Sequence, residues 1–512
     1  MDQTIEQSVR RPDLYDALKK AVCDGLEIVR KVEEQNLPID IHDLYPDMSY
    51  LDPGFPRFSF SSKKDTWSTA PKDYRSIFED NKTLFNEYKI KSGAAWLTTD
   101  IPSWQEFLEL ANKDERLKRY RENERLRDGA ERLGVSDVYE RLTVFGTIKD
   151  LLDRYIHITK QTEFNEELFK PIYLEWERAV FESHLSFDIL VPIIRLKFSF
   201  DELQLGGGLS IERMSDGIQL SRGKSRSPYM SAHDDVIIAA THALVLKNWT
   251  IENGPTREAV SGALGDAAAF SDALSQVDKF FAVLRAVTEV ETGYCQVISR
   301  PIGWAHHWKA DLPPISIFTV KAYPERLERI YWAEDVPELN ADMCLSAGNL
   351  YSAIMKSSSS RLTLAARRLN AASLRNDEQD SILDVTIGLE ALVGDESKGE
   401  MTHKLATRMA ALSKIEQFKE HTPAEVFSFC KKIYNFRSAV AHGGHEVSKT
   451  RTVKIKEERT IPTVELGIEL LRFSLRVLSN NPMYLDPHKL DLFLIAYEAP
   501  PVTGDQEHLA EE

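Results

Sequence analysis

The stretch YNFRSAVAHGGHE, Tyr434 to Glu446, sets an arginine and a histidine five positions apart near what reads as a helix end. Histidine exchanges a proton near neutral pH, and arginine grips a phosphate through two parallel N–H bonds. Arg437 and His442 thus have the makings of an RNA-cutting pair, and they are equally ordinary residues of a helical protein. Spacing does not decide between these readings. Arg178 and His184, Arg226 and His233, and Arg300 and His306 or His307 stand at comparable separations in the same chain.

The surroundings carry more. Over 423–442, Val426, Phe429, Cys430, Ile433 and Val440 recur at three- and four-residue steps, the stripe a helix turns toward a core. Arg437 falls on that stripe, where a guanidinium needs a carboxylate or a polar cleft. Glu390, after Leu383 and Ile387 on the apolar run ILDVTIGLEALVG, is the expected partner, either as structural glue or as part of a site. His442 shares a different face with Asn435 and Ser438. The two side chains diverge by about 140° with about 7.5 Å of rise, so a distorted helix end or a second subunit would have to bring them together. His445, after two glycines, reads as a loop histidine beside the same end. Residues 401–456 hold eleven Lys/Arg against four acids, +7 within a chain of net charge -16. Lys404, Arg408, Lys431 and Lys432 are therefore candidates for contacts to an RNA backbone.

The elements that must position these residues can be read from the pattern. At 512 residues the chain is expected to form two to four domains. Residues 1–180 read as mainly helical, with a loop-rich stretch at 37–75 and a solvated, mixed-charge helix face at 104–133. Residues 185–335 read as an α+β region, in which LQLGGGLSIERM suggests a hairpin and SRGKSRS an exposed loop. From 340 to 490 the periods predict bundle helices at 361–373, 377–394, 400–413, 422–442 and 462–480, followed by an acidic tail over 491–512. Thr422-Pro423 is a helix start and Gly443-Gly444 a stop. The fold class is thus multidomain and mainly α, with a central α+β region and a C-terminal antiparallel helical bundle.

Other chemistries find little support. The cysteines, Cys23, Cys295, Cys344 and Cys430, form no CxxC pair, so neither a disulfide framework nor a zinc ribbon is expected. The adjacent histidines of WAHHW read as packing or surface residues rather than a metal site. Gly206–Gly208 lack the Lys-Ser/Thr of a phosphate loop, and no triad or dinucleotide fingerprint is present. No metal and no cofactor are expected. With no apolar secretion leader at the start and no spanning stretch, a cytoplasmic protein with no membrane partner is the expectation.

The order AARRLNAASLRNDEQDSILDVTIGLEALVG, then EMTHKLATRMAALS, then CKKIYNFRSAVAHGG resembles the Apea-like HEPN family over roughly 340–480. The upstream ILVPIIRLKFSF and LQLGGGLSIERMSDGIQL resemble the region that often precedes that domain. The resemblance implies a HEPN-type bundle carrying a metal-independent endoribonuclease, with Arg437-x4-His442 as its motif and a role in bacterial defence against phage. It implies RNA, tRNA included, as the partner, a homodimer or higher homo-oligomer formed through the bundle, and release by a phage-derived or nucleotide trigger. His442 would act as general acid or base and Arg437 would hold the scissile phosphate, with the 2′-hydroxyl as nucleophile. Active members frequently carry Asn, Asp or His after the arginine, and this chain carries Ser438. The alternative is a non-catalytic HEPN scaffold that dimerises or binds RNA.

Overall fold

The computed structural model describes residues 8–52, 54–61, 70–78, 101–123, 127–128, 141–224, 233–328, 336–395, 400–442, 447–456 and 459–496. The chain divides into two compact units. The first comprises Met1–Leu274, Gly293–Ala322 and Ile330–Glu338, and the second Ser275–Thr292, Tyr323–Arg329 and Leu339–Glu512. A mainly helical chain of more than one unit, with a central antiparallel sheet, agrees with the sequence reading.

In the first unit, α1 (Pro12–Glu34) starts on a proline at its first turn and buries Leu14, Leu18, Val22, Leu26 and Val29, a stripe at helical period. It packs with α2 (Trp104–Lys113) and α4 (Gly146–Thr159), whose Leu151 and Leu152 lie in the same core. Asp114 caps the short α3 (Glu115–Tyr120) by accepting from the Leu117 N–H, and Asn165 caps α5 (Glu166–Phe181). A hairpin of β1 (Tyr45–Tyr50) and β2 (Pro56–Ser61) lies within the stretch expected to be loop-rich.

The main sheet of this unit contains β3 (His184–Pro192), β4 (Glu202–Gly206), β5 (Leu209–Arg213), β6 (His242–Glu252), β7 (Tyr294–Pro301) and β8 (Ser316–Ala322). Its order is β4-β5-β6-β3-β7-β8, antiparallel throughout. Gly206, Gly207 and Gly208 turn the β4–β5 hairpin with φ of 85°, 62° and 82°, backbone that glycine adopts without a Cβ clash. The expected exposed loop SRGKSRS is corrected in its first half. Ser221–Lys224 end α6 (Asp216–Lys224), and Arg222 is fully buried at 0 % exposure. Its guanidinium donates to the carbonyls of Ile237 and Ala240 and to the side chains of Gln219 and Gln296, so neutral oxygens replace its water. α7 (Arg257–Gly265) follows β6.

The second unit takes most of α8 (Ser271–Thr288) with α9 (Ala341–Lys356), α10 (Ser360–Leu374), α11 (Glu378–Val393), α12 (Met401–Ile415), α13 (Pro423–His442), α14 (Thr463–Asn480) and α15 (Pro487–Ile495). α13 opens with a capping box. Thr422 Oγ1 accepts from the Glu425 N–H at 3.3 Å, and Glu425 Oε2 accepts from the Thr422 N–H at 2.8 Å. α11 and α14 meet through glycines. A Cβ on Gly467 would stand 2.9 Å from Val385 Cγ1, and one on Gly388 2.8 Å from Leu471 Cδ2. Between α13 and α14 runs a hairpin, β9 (Thr452–Lys456) and β10 (Arg459–Pro462).

Candidate functional site

The last two turns of α13 display the sequence-predicted residues. Val426, Phe429, Cys430 and Ile433 are buried as the stripe requires, and Tyr434 and Phe436 join them. Lys431, Lys432, Asn435, Ser438 and His442 are exposed, while Val440 and Arg437 are half-buried. His445 lies outside the described residues. The expected Arg437–Glu390 ion pair is not formed. Glu390 instead accepts a bond from Tyr434 Oη at 3.4 Å. Arg437 has no ion pair or hydrogen bond among the described residues, and its Nε is buried without a partner. Burial, then the charge of Glu390, pushes the Tyr434 hydroxyl far up, so it stays a neutral donor, and the nearby Arg437 charge opposes that push. A phenol one turn back on the same helix therefore takes the carboxylate that sequence spacing had assigned to the guanidinium.

The phosphate candidates separate. Arg408 is corrected: it is only 4 % exposed, and it donates to Asp395 at 2.7 Å, to Asp491 at 2.8 Å and to the Val393 carbonyl at 2.9 Å. Lys404 leans on Asp395 at 3.8 Å. Lys419 pairs with Glu469 at 2.6 Å and Arg451 with Glu378 at 2.7 Å. Acids from outside 401–456 thus offset much of the +7 counted along the sequence. Lys431 and Lys432 remain on the surface, Lys431 with its ammonium 5.6 Å from the Phe427 ring centroid. Glu390 also lines an open cavity of about 740 Å³ with Ser357–Ser360, Arg361 and Arg367.

A buried cluster in the first unit was not foreseen. His42 Nε2 lies 3.0 Å from Asp153 Oδ2, and His157 Nε2 lies 3.3 Å from Asp153 Oδ1 and 2.9 Å from the Lys72 carbonyl. Burial pushes the Asp153 carboxyl up, but the hydrogen bonds from His157 and His42 outweigh it and hold the group well below its ordinary value. The three residues place ligand atoms within 4.8 Å of one another, as a metal would need. Hydrogen bonding favours another use. Arg75 Nη2, always a donor, sits 3.3 Å from His42 Nδ1, which fixes the proton on Nε2. The Lys72 carbonyl likewise calls for an N–H on His157 Nε2. Both rings turn N–H groups, not lone pairs, toward Asp153, and the Tyr74 N–H adds a bond at 3.0 Å. The cluster clasps residues 42 and 72–75 to α4. Only the Asp153–His157 step of four was local enough to be seen in sequence.

None of the four cysteines is in a disulfide, and no described helix is long and apolar enough to cross a membrane. Comparison with protein-family models, with curated proteins and with solved structures finds no match for this chain.

Proposed function

We propose that the second unit is a HEPN-type bundle working as a metal-independent RNA endonuclease, held latent until a phage-derived or nucleotide trigger releases it in antiviral defence. The observation that carries this reading is Arg437, a half-buried guanidinium with no carboxylate partner among the described residues. A desolvated cation without a counter-charge favours an anionic ligand, and a phosphodiester is one. Exposed His442, Ser438, Asn435, Lys431 and Lys432 share the same helix.

In the proposed reaction the RNA 2′-oxygen attacks phosphorus while a histidine takes its proton. The bond from phosphorus to the 5′-oxygen breaks, and a protonated group supplies the leaving oxygen with a proton. Arg437 balances the charge that builds on the phosphate oxygens. Since Arg437 and His442 diverge around α13, a second copy contributes the other proton carrier. Products are a 2′,3′-cyclic phosphate and a 5′-hydroxyl.

The test is incubation of the full chain with total tRNA in EDTA, beside His442→Ala. Cyclic-phosphate ends made by the parent and lost in the variant are expected. Equal cleavage by both proteins would remove His442 from the chemistry, and RNA binding without cleavage would favour a scaffold.

A further inference from the structure

A cavity of about 180 Å³ in the first unit is lined by Tyr120, Asp150, Trp176, Arg257, His306 and Trp308, among others. Two of its polar groups are buried and have no partner among the described residues. Tyr120 is 4 % exposed and its Oη has no hydrogen bond, and His306 is 6 % exposed and its Nδ1 has none. Buried polar atoms are rarely left so, and two in one cavity call for a ligand or ordered water.

Charge separates those choices. Among the cavity's acids, Asp150 is held by Arg75 at 3.3 Å and Glu258 accepts from Asn123 at 2.9 Å. Burial pushes the His306 imidazole down to about 2, with His307 and Arg257 adding to the effect, so this ring is neutral. Arg121 donates to Asn112 at 2.7 Å. Arg257, half-buried at the first turn of α7, makes no ion pair or hydrogen bond among the described residues. It lines the same cavity as Tyr120, Asp150 and His306, and its charge opposes the burial that pushes the Asp150 carboxyl up. The cavity therefore offers a guanidinium with no ion pair or hydrogen bond among the described residues, and a phenol without a hydrogen bond, beside two indoles.

We propose that this cavity binds a small aromatic carboxylate, with the carboxylate on Arg257 and Tyr120 Oη and the ring against Trp176 and Trp308. A guanidinium fork matches one planar carboxylate, and a phenol adds a single further donor. The volume equals about six waters, room for one ring and its acid group. Water alone would satisfy Tyr120 and His306 but would leave Arg257 with only the Asp150 carboxylate, already bonded to Arg75, as a counter-charge.

The test is titration of the full chain with benzoate and with its neutral analogue benzamide, followed by calorimetry and by saturation transfer to the ligand ring. Benzoate is expected to bind at least roughly tenfold tighter than benzamide. Arg257→Gln should erase that preference, and Tyr120→Phe should weaken benzoate by roughly fivefold, with both variants melting near the parent. Equal affinity for the two probes, binding of neither, or a preference that survives Arg257→Gln would overturn the proposal. No RNA is present, so the outcome is independent of the nuclease reading.

Discussion

Arg408 and Arg437 look alike in the sequence, each an arginine beside the apolar stripe of a bundle helix. Their partners differ, and so should their variants. Arg408→Gln removes the counter-charge of Asp395 and Asp491 and should cost about 2–3 kcal/mol, moderated because both aspartates reach solvent. Arg437→Gln breaks no ion pair among the described residues and should stay within about 0.5 kcal/mol of the parent. Urea unfolding of both variants checks this, and a large loss for Arg437→Gln would return that residue to a structural role. Asp153 makes a pH-dependent prediction. Its carboxyl is held below the ordinary value, so its contribution is complete above the unfolded-state value of about 4 and is lost as pH falls through the folded one. Asp153→Asn should cost about 3 kcal/mol at neutral pH, and the gap to the parent should close in acid unfolding series below about pH 4. The arginine and histidine of α13 were legible as candidates because residue type and helical face are local properties. The Asp153 clasp was not, because His42 is brought to it from 111 residues away.

Elements were read more surely than partners. The five bundle helices expected between 361 and 480 are α10 to α14, with ends shifted by one or two residues, because apolar period and caps are written within a few turns. The β1–β2 hairpin lies in a stretch read as loop-rich for its prolines, yet Pro46 and Pro56 both sit in its strands, which a two-stranded ladder tolerates because each strand is an edge and Pro56 opens β2. Caps and crossings carry their own predictions. Thr422→Ala should cost about 1 kcal/mol by opening the capping box of α13. Gly467→Ala should cost about 1–2 kcal/mol even after its gain in helix propensity, since the new methyl meets the stiff, branched Val385. Gly388→Ala meets the end of the flexible Leu471 and should be nearly neutral, which thermal melts of the pair will separate.

For the whole molecule, charge counted along the chain was a poor guide, because folding brings acids from other helices onto the basic stretch. With Arg408 withdrawn, Lys431, Lys432, Arg437 and a partly engaged Lys404 remain for a phosphate backbone. The logarithm of RNA affinity against that of salt should therefore slope at about −2 to −3, and a steeper slope would mean that other cations take part. The main sheet has a different consequence, one of timing. Its inner strand β3 ends at Pro192, and its neighbour β7 ends at Pro301. A ribosome adding about 5–20 residues each second needs roughly 5–20 s to cross that interval. Throughout it, one margin of β3 offers unpaired backbone groups to any passing strand. The nascent chain is thus most open to mispairing while the second half of its own sheet is still being made, and faster elongation or chaperone cover over residues 193–301 should raise the yield of folded protein.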